Sequence, residues 1–88
     1  MLHKLAIITV VYQNYSILKD FFKSLSKQDK KNFQLFISDL SEDKKTINTD
    51  FPTIIIDAKN RGYAYGVNLS LKKAINEGFD KFCVVNND

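Results

Sequence analysis

Carboxylates stand at the predicted carboxyl ends of three strands in this 88-residue chain. Asp39, Asp57 and Asp88 each follow an apolar run. Parallel strands of an open α/β sheet end at one edge, and ligands bind outside that edge. Carboxylates gathered there repel one another unless a cation lies among them, and their oxygens suit magnesium or manganese. The alternative is that an aspartate only stabilises the turn after a strand, which is the preferred interpretation of Asp57.

A second group of residues suited to ligand binding occupies the segment 60–68, Asn-Arg-Gly-Tyr-Ala-Tyr-Gly-Val-Asn. Its glycines let the backbone bend or approach a ligand, and the amides of Asn60 and Asn68 donate and accept hydrogen bonds. Arg61 can bind a phosphate through two parallel hydrogen bonds. The helix predicted to follow would direct its N-terminus to the same place, which favours anions. The residues alone support equally a ligand-binding loop and a loop held by local asparagine hydrogen bonds.

Hydrophobic patterning predicts the elements that position these residues, in the order β-α-β-β-α-β. Strands are predicted over 4–12, 33–39, 53–57 and 81–85, and helices over 16–28 and 67–77. Gly78 fits the left-handed position just past the second helix. Alternating strands and helices predict a parallel, right-handed, layered α/β sheet in one domain over residues 1–88. Phe82 and Cys83, inside the last strand, are expected in the core.

Composition and charge exclude several classes of protein. The hydrophobic fraction of 44% and charged fraction of 26% are those of a globular domain, and the single cysteine excludes a disulfide framework. The net charge of +3 comes mostly from lysines dispersed along the chain, which argues against nucleic-acid binding. No apolar run reaches the roughly 18 residues of a transmembrane segment, so a cytoplasmic protein is expected. The glycine-rich loops of dinucleotide-binding folds and P-loops are missing from the expected positions.

Four sequence pieces together resemble the N-terminal part of a family 2 glycosyltransferase with the GT-A fold. They are the opening Ile-Thr-Val-Val-Tyr12, Asp39, the pattern Asn60-x-Gly-Tyr-Ala-x-Gly-x-Asn68, and the terminal Val-Val-Asn-Asn-Asp88. Their order and spacing match over essentially all 88 residues. The resemblance implies a three-layer α/β/α fold with a mostly parallel sheet in the strand order 3-2-1-4. It also implies that the chain is the donor-binding half of that fold, without the acceptor-binding half.

The resemblance also implies a role for each matching residue. Thr9, Val10, Val11 and Tyr12 would line the nucleobase pocket. Asp39 would hydrogen-bond the base or ribose. Asn60, Arg61, Gly62 and Asn68 would lie beside the nucleotide. Asn86, Asn87 and Asp88 would form a rhamnosyltransferase-like variant of the Asp-x-Asp motif, in which Asp88 binds a divalent magnesium or manganese ion and the asparagines contact ribose or donor sugar.

The implied function is donor binding within a metal-dependent, inverting glycosyltransferase. The donor would be a uridine or deoxythymidine diphosphate sugar, and the acceptor a glycan or lipid-linked sugar in cell-envelope polysaccharide synthesis, at the inner face of the membrane. The isolated chain is expected to be inactive, because no residue matches the catalytic base. Leu40 stands where the family usually has a residue able to hydrogen-bond, so base selection is expected to differ.

A non-catalytic α/β module is the alternative interpretation of the same sequence. In the strand order 3-2-1-4, the fourth strand lies at an edge and carries apolar residues. Exposed apolar edges tend to pair with other chains. This alternative predicts a homo-oligomer, or a complex with a partner chain, formed through that edge.

Overall fold

The computed structural model describes residues 5–27, 33–49 and 51–85, which alternate between strands and helices. The elements are β1 (Leu5–Val11), α1 (Tyr15–Leu25), β2 (Phe33–Asp39), β3 (Thr53–Asp57), α2 (Tyr63–Asn76) and β4 (Lys81–Val84). The longer helix, α2, has 14 residues. Neither described helix has the length and apolarity needed to span a bilayer.

The four strands form one parallel sheet in the order β3-β2-β1-β4. In its register Val11 lies opposite Asp39, and Asp39 lies opposite Asp57, so three strands end level at one edge. β1 and β2 occupy the centre because both are almost continuously apolar and can be buried on two faces. The predicted α/β class, the parallel sheet and its strand order are confirmed.

The two helices cover opposite faces of the sheet, which gives three layers. Alternate residues of β1 and β2, including Ile7, Val11 and Leu35, pack with Leu18 and Leu25 of α1. The intervening residues Ala6, Ile8 and Phe36 pack instead with Ala74 of α2. This separation follows from the strand period of two, by which neighbouring side chains point to opposite faces.

Helix α2 begins at Tyr63, four residues before the start predicted from hydrophobic spacing. Tyr63 is 47% exposed, so no buried apolar side chain marks the first turn. The helix starts instead after Gly62, whose φ of 99° suits glycine. Gly78, with φ of 95°, has the predicted left-handed conformation beyond the helix end.

The expectation that Phe82 and Cys83 belong to the core is wrong. All four residues of β4 are exposed, with Phe82 38% and Val84 46% accessible. Among the described strands β4 pairs only with β1, so it is an edge strand. An apolar pattern identifies a strand but does not say whether another element covers it.

Replacing Gly66 by alanine should destabilise the protein, although alanine is the better helix former. An added Cβ would lie 2.9 Å from Cγ1 of Val10 and 3.1 Å from Cδ1 of Leu40, both buried side chains. Overpacking of this kind costs about 1–3 kcal/mol, more than the helix propensity returns. Urea denaturation should therefore give a lower free energy of unfolding for Gly66→Ala.

The control is Asn68→Ala, two residues along α2 at an exposed position. It should leave the stability unchanged or raise it slightly, because helix propensity improves without a clash. If Gly66→Ala were as stable as this control, the close packing of α2 on the sheet would be refuted.

Candidate ligand-binding site

An open cleft of about 470 Å³, called here the first cleft, lies at the carboxyl edge of the sheet. Its lining residues are Val10, Tyr12, Asn14, Ile17, Leu40, Asn60, Gly62 and Tyr63. They come from the end of β1, the residues after β2, the start of α1 and the approach to α2. This is where open parallel sheets bind their ligands.

Two tyrosines, Tyr12 and Tyr63, line the first cleft. Tyr12 is 46% exposed and Tyr63 is 47% exposed, so both rings are accessible. The floor includes Val10 and Leu40, which are buried and apolar. Aromatic walls over an apolar floor suit a flat ring that carries a few polar groups.

A second cleft of about 610 Å³ adjoins the first and shares Leu40 and Asn60 with it. Its other lining residues are Ser41, Glu42, Lys44, Asp57, Ala58 and Lys59. The ammonium of Lys44 donates to the carbonyl oxygens of Ser41 at 2.6 Å and Ala58 at 3.2 Å. Lys44 therefore joins the segment after β2 to the segment after β3.

Asp39, expected to contact a base or ribose, is buried and already hydrogen-bonded. The residue as a whole is only 1% exposed. The hydroxyl of Tyr15 donates to Oδ2 at 2.7 Å, and the N–H of Ser41 donates to Oδ1 at 3.0 Å. Burying a carboxylate requires such partners, and Asp39 lines neither the first nor the second cleft.

Further hydrogen bonds join the segment 13–15 to the segment 41–45, and residues of both segments line the clefts. Gln13 donates its N–H to Oγ of Ser41 at 2.7 Å and accepts the N–H of Asp43 through Oε1 at 2.8 Å. The N–H of Lys45 donates to the hydroxyl of Tyr15 at 3.1 Å. Sequence reasoning missed these partners, although the Asp-x-Ser spacing signals a turn in which Asp39 accepts the N–H of Ser41.

The environment of Tyr15 perturbs its ionisation. Burial raises the pKa of its hydroxyl above the ordinary 10.0, and the bond to Asp39 and that residue's negative charge act in the same direction. Hydrogen bonds from Ser41 and Lys45 oppose the rise without cancelling it. The folded protein therefore favours the neutral tyrosine that donates to Asp39.

The residues predicted to bind a nucleotide are only partly brought together. Val10, Tyr12, Asn60 and Gly62 meet in the first cleft. Thr9 and Val11, which also belong to β1, are fully buried instead. The hydroxyl of Thr9 donates to the carbonyl oxygen of Val85 at 3.0 Å, which holds the residue after β4 against β1.

Arg61 and Asn68 line neither of the two clefts. The guanidinium of Arg61, just before α2, lies 5.8 Å from the ring centroid of Tyr65 in the first turn of that helix, a cation–π arrangement. Asn68 lies on an exposed face of the same helix. The predicted Asn86, Asn87 and Asp88 lie outside the described residues. Within 5–27, 33–49 and 51–85, no group of three or more acidic, histidine or cysteine side chains is arranged to hold a metal ion.

No family model matches the chain, and no curated protein matches it. Any ligand of the two clefts is therefore inferred from the residues that line them.

Replacing Tyr15 by phenylalanine should destabilise the protein at neutral pH, because Asp39 stays buried and loses a donor. Loss of a hydrogen bond to a charged group costs about 1–3 kcal/mol. The raised pKa of Tyr15 stabilises the fold below the ordinary value of 10.0, and this contribution is lost as the pH rises through the folded-state pKa. The stability difference between wild type and Tyr15→Phe should therefore shrink above about pH 10.

Urea denaturation at a series of pH values measures this difference. Tyr63→Phe is the matched control, because Tyr63 is 47% exposed and its hydroxyl donates to no buried carboxylate among the described residues. That control should show little change in stability at any pH. A stability deficit of Tyr15→Phe that stayed constant through alkaline pH would contradict the assignment of the hydroxyl as the donor to Asp39.

Proposed function

We propose that this chain binds a nucleoside diphosphate sugar with a divalent metal ion, as the donor-binding part of a glycosyltransferase. The observation that carries the proposal is the first cleft, which gathers Val10, Tyr12, Asn60 and Gly62 at the carboxyl edge of a parallel sheet. These residues belong to two sequence pieces that resemble family 2 glycosyltransferases. They are far apart in the chain and adjacent in the fold.

A nucleobase fits the chemistry of this cleft. The accessible rings of Tyr12 and Tyr63 offer faces for stacking, and Val10 and Leu40 offer an apolar floor. Stacking of a base on an aromatic side chain contributes about 1–3 kcal/mol. The carboxylate of Asp39 contributes indirectly in the described arrangement, because its hydrogen bonds hold the segment from which Leu40 extends.

The end of β4 supplies the support for a diphosphate and its metal ion. Val85 is fixed at the carboxyl edge, since its N–H donates to the carbonyl oxygen of Ile8 at 2.8 Å and its carbonyl accepts from Thr9 at 3.0 Å. Asn86, Asn87 and Asp88 follow directly in the sequence. Their carboxylate and amide oxygens are hard donors that suit magnesium or manganese, with Asp88 as the charged ligand. When bound, such an ion neutralises charge on the diphosphate leaving group.

Titration calorimetry with uridine diphosphate, in the presence and absence of magnesium, tests the proposal. Wild-type protein should bind the nucleotide, and binding should strengthen with the metal. Tyr12→Ala should weaken binding roughly tenfold with or without metal, because it removes a stacking surface. Asp88→Ala should abolish only the strengthening by metal.

Two control variants make the outcome specific. Ile75→Ala removes an exposed apolar side chain, 59% accessible near the far end of α2, and should leave affinity unchanged. Asp20→Ala removes an exposed carboxylate from α1 and should leave the metal dependence unchanged. Absence of nucleotide binding by the wild type, or equal losses in Tyr12→Ala and Ile75→Ala, would refute the proposal.

The exposed edge strand β4 favours a second candidate function, self-association without catalysis. Every residue of β4 is exposed, and Phe82 and Val84 present apolar surface beside an edge that pairs with no other described strand. Edges of this kind recruit further strands unless charge or bulges prevent it. Two copies could pair through β4 to extend the sheet.

Light scattering coupled to size-exclusion chromatography tests this candidate. The wild type should show a concentration-dependent increase in mass, and Val84→Lys should remain monomeric because an edge lysine opposes strand pairing. Ile75→Lys is the control, since it places the same charge on an exposed apolar site of α2. A monomeric wild type at the highest accessible concentration, or an equal effect of the two lysine variants, would exclude pairing through β4.

A further inference from the structure

The free edge of β4 presents a fixed pattern of backbone hydrogen-bonding groups. β4 pairs with β1 in parallel, and the N–H of Val85 donates to the carbonyl oxygen of Ile8 at 2.8 Å. Successive residues of a strand direct their N–H and C=O groups alternately to its two sides. Since Val85 faces β1, Cys83 faces β1 as well. Phe82 and Val84 therefore direct their backbone groups outward, to the side on which no other described strand pairs.

A second copy of β4 can match these outward groups when it runs antiparallel to the first. In an antiparallel pair, two opposite residues exchange both backbone hydrogen bonds, and the residues of the next pair exchange none. Phe82 would lie opposite Val84 of the second copy, and Val84 opposite its Phe82, so both outward residues are satisfied. Cys83 would then face the second copy's Cys83 at the two-fold axis, in a pair without hydrogen bonds.

The side chains of β4 are self-complementary in this register. Phe82 and Val84 are two residues apart and share one face of the sheet, where they are 38% and 46% exposed. Pairs of an aromatic with a β-branched residue are favourable across strands, and the register forms one on each side of the axis. Lys81 would lie opposite the second copy's Val85, so the two lysines are kept apart.

The neighbouring registers match the strand less well. An axis at Phe82 pairs only residues 81–83 with one another and places Val84 opposite Asp80, which precedes β4. An axis at Val84 pairs only residues 83–85 with one another. The axis at Cys83 alone pairs all of residues 81–85, the segment that follows β1 in register and ends with the bond from Val85 to Ile8.

We infer that two copies of this chain associate through antiparallel β4 strands with the two-fold axis at Cys83. The inference rests on the self-association proposed as the second candidate function, and it adds the direction and register of the pairing. A two-fold axis makes the interface close on itself, so association stops at a dimer. The two Cα atoms of Cys83 would lie about 4.5 Å apart, within the range that a disulfide bridges.

Disulfide cross-linking at neighbouring positions locates the axis. Diamide converts two thiols to one disulfide and takes up their two protons and two electrons, which reduces it to the hydrazine. The wild type reports position 83 through its single cysteine, which is exposed. Phe82→Cys and Val84→Cys, each combined with Cys83→Ser, report positions 82 and 84. Cross-linking is followed by electrophoresis without reductant, at micromolar protein.

The wild type should cross-link roughly tenfold or more faster than either variant, because thiols held in one dimer have a millimolar effective concentration. Two cysteines at position 84 would have their Cα atoms about 8 Å apart, beyond the roughly 7 Å limit of a disulfide. Ile75→Cys with Cys83→Ser is the control for random collision, since this site on α2 is 59% exposed. Val84→Lys should abolish fast cross-linking at Cys83.

The outcomes separate the register from the self-association on which it rests, which light scattering under reducing conditions measures independently. If the wild type is monomeric and Cys83 reacts no faster than the Ile75→Cys control, pairing through β4 fails. If the wild type associates but cross-linking is fastest at 82 or 84, or equal at all three positions, the register is wrong and self-association stands. If Phe82→Cys or Val84→Cys does not fold, fast cross-linking at Cys83 that Val84→Lys abolishes supports the inference, and its absence overturns it.

Discussion

Helix α2 must approach the sheet closely at Gly66, and the geometry of the first cleft depends on that approach. A side chain there would clash with Val10, a β-branched residue in the middle of the sheet. The approach also lets the hydroxyl of Ser38 donate to the carbonyl oxygen of Gly66 at 2.6 Å and lie 2.5 Å from that of Ser70. These buried polar groups satisfy one another, so the first turns of α2 are fixed over the carboxyl ends of β1 and β2.

Asp39 imposes the second constraint, on the opposite face of the sheet. A carboxylate this deeply buried is stable only with its hydrogen bonds made, and these come from Tyr15 and Ser41. The segments on either side of the cleft are thereby fixed to one central strand end. A nucleotide that donated a hydrogen bond to Asp39 would have to reach a residue that is only 1% exposed. A ligand in the first cleft would leave the network intact, because Asp39 does not line that cleft.

The sequence predicted the bounds of elements correctly where burial of an apolar run decides them. β2 and β3 have the predicted bounds because their apolar runs are buried or paired along their whole length. The start of α2 was missed because it depends on the backbone of Gly62 and on an exposed tyrosine. Phe82 was misplaced because exposure at a sheet edge depends on what covers that edge, which hydrophobic spacing does not encode.

For the candidate site, too, some features could be predicted from the sequence and others could not. The convergence of Tyr12 and Asn60 could be predicted, since both follow parallel strands that end at one edge. The burial of Asp39 could not be predicted. It depends on Tyr15, which is 24 residues away in the chain and reaches Asp39 only because α1 packs on that face of the sheet.

At Leu40, which lines both clefts, the sequence expectation and the observed structure can be compared directly. Leu40 follows Asp39 directly, where the glycosyltransferases that the sequence resembles usually have a residue able to hydrogen-bond. The fold adds that Leu40 is buried between the clefts, so it contributes shape without polarity. Asn60 also lines both clefts, and its Oδ1 accepts the N–H of Gly62. With an apolar residue directly after β2, the polar side chain at this junction comes from the turn that precedes α2.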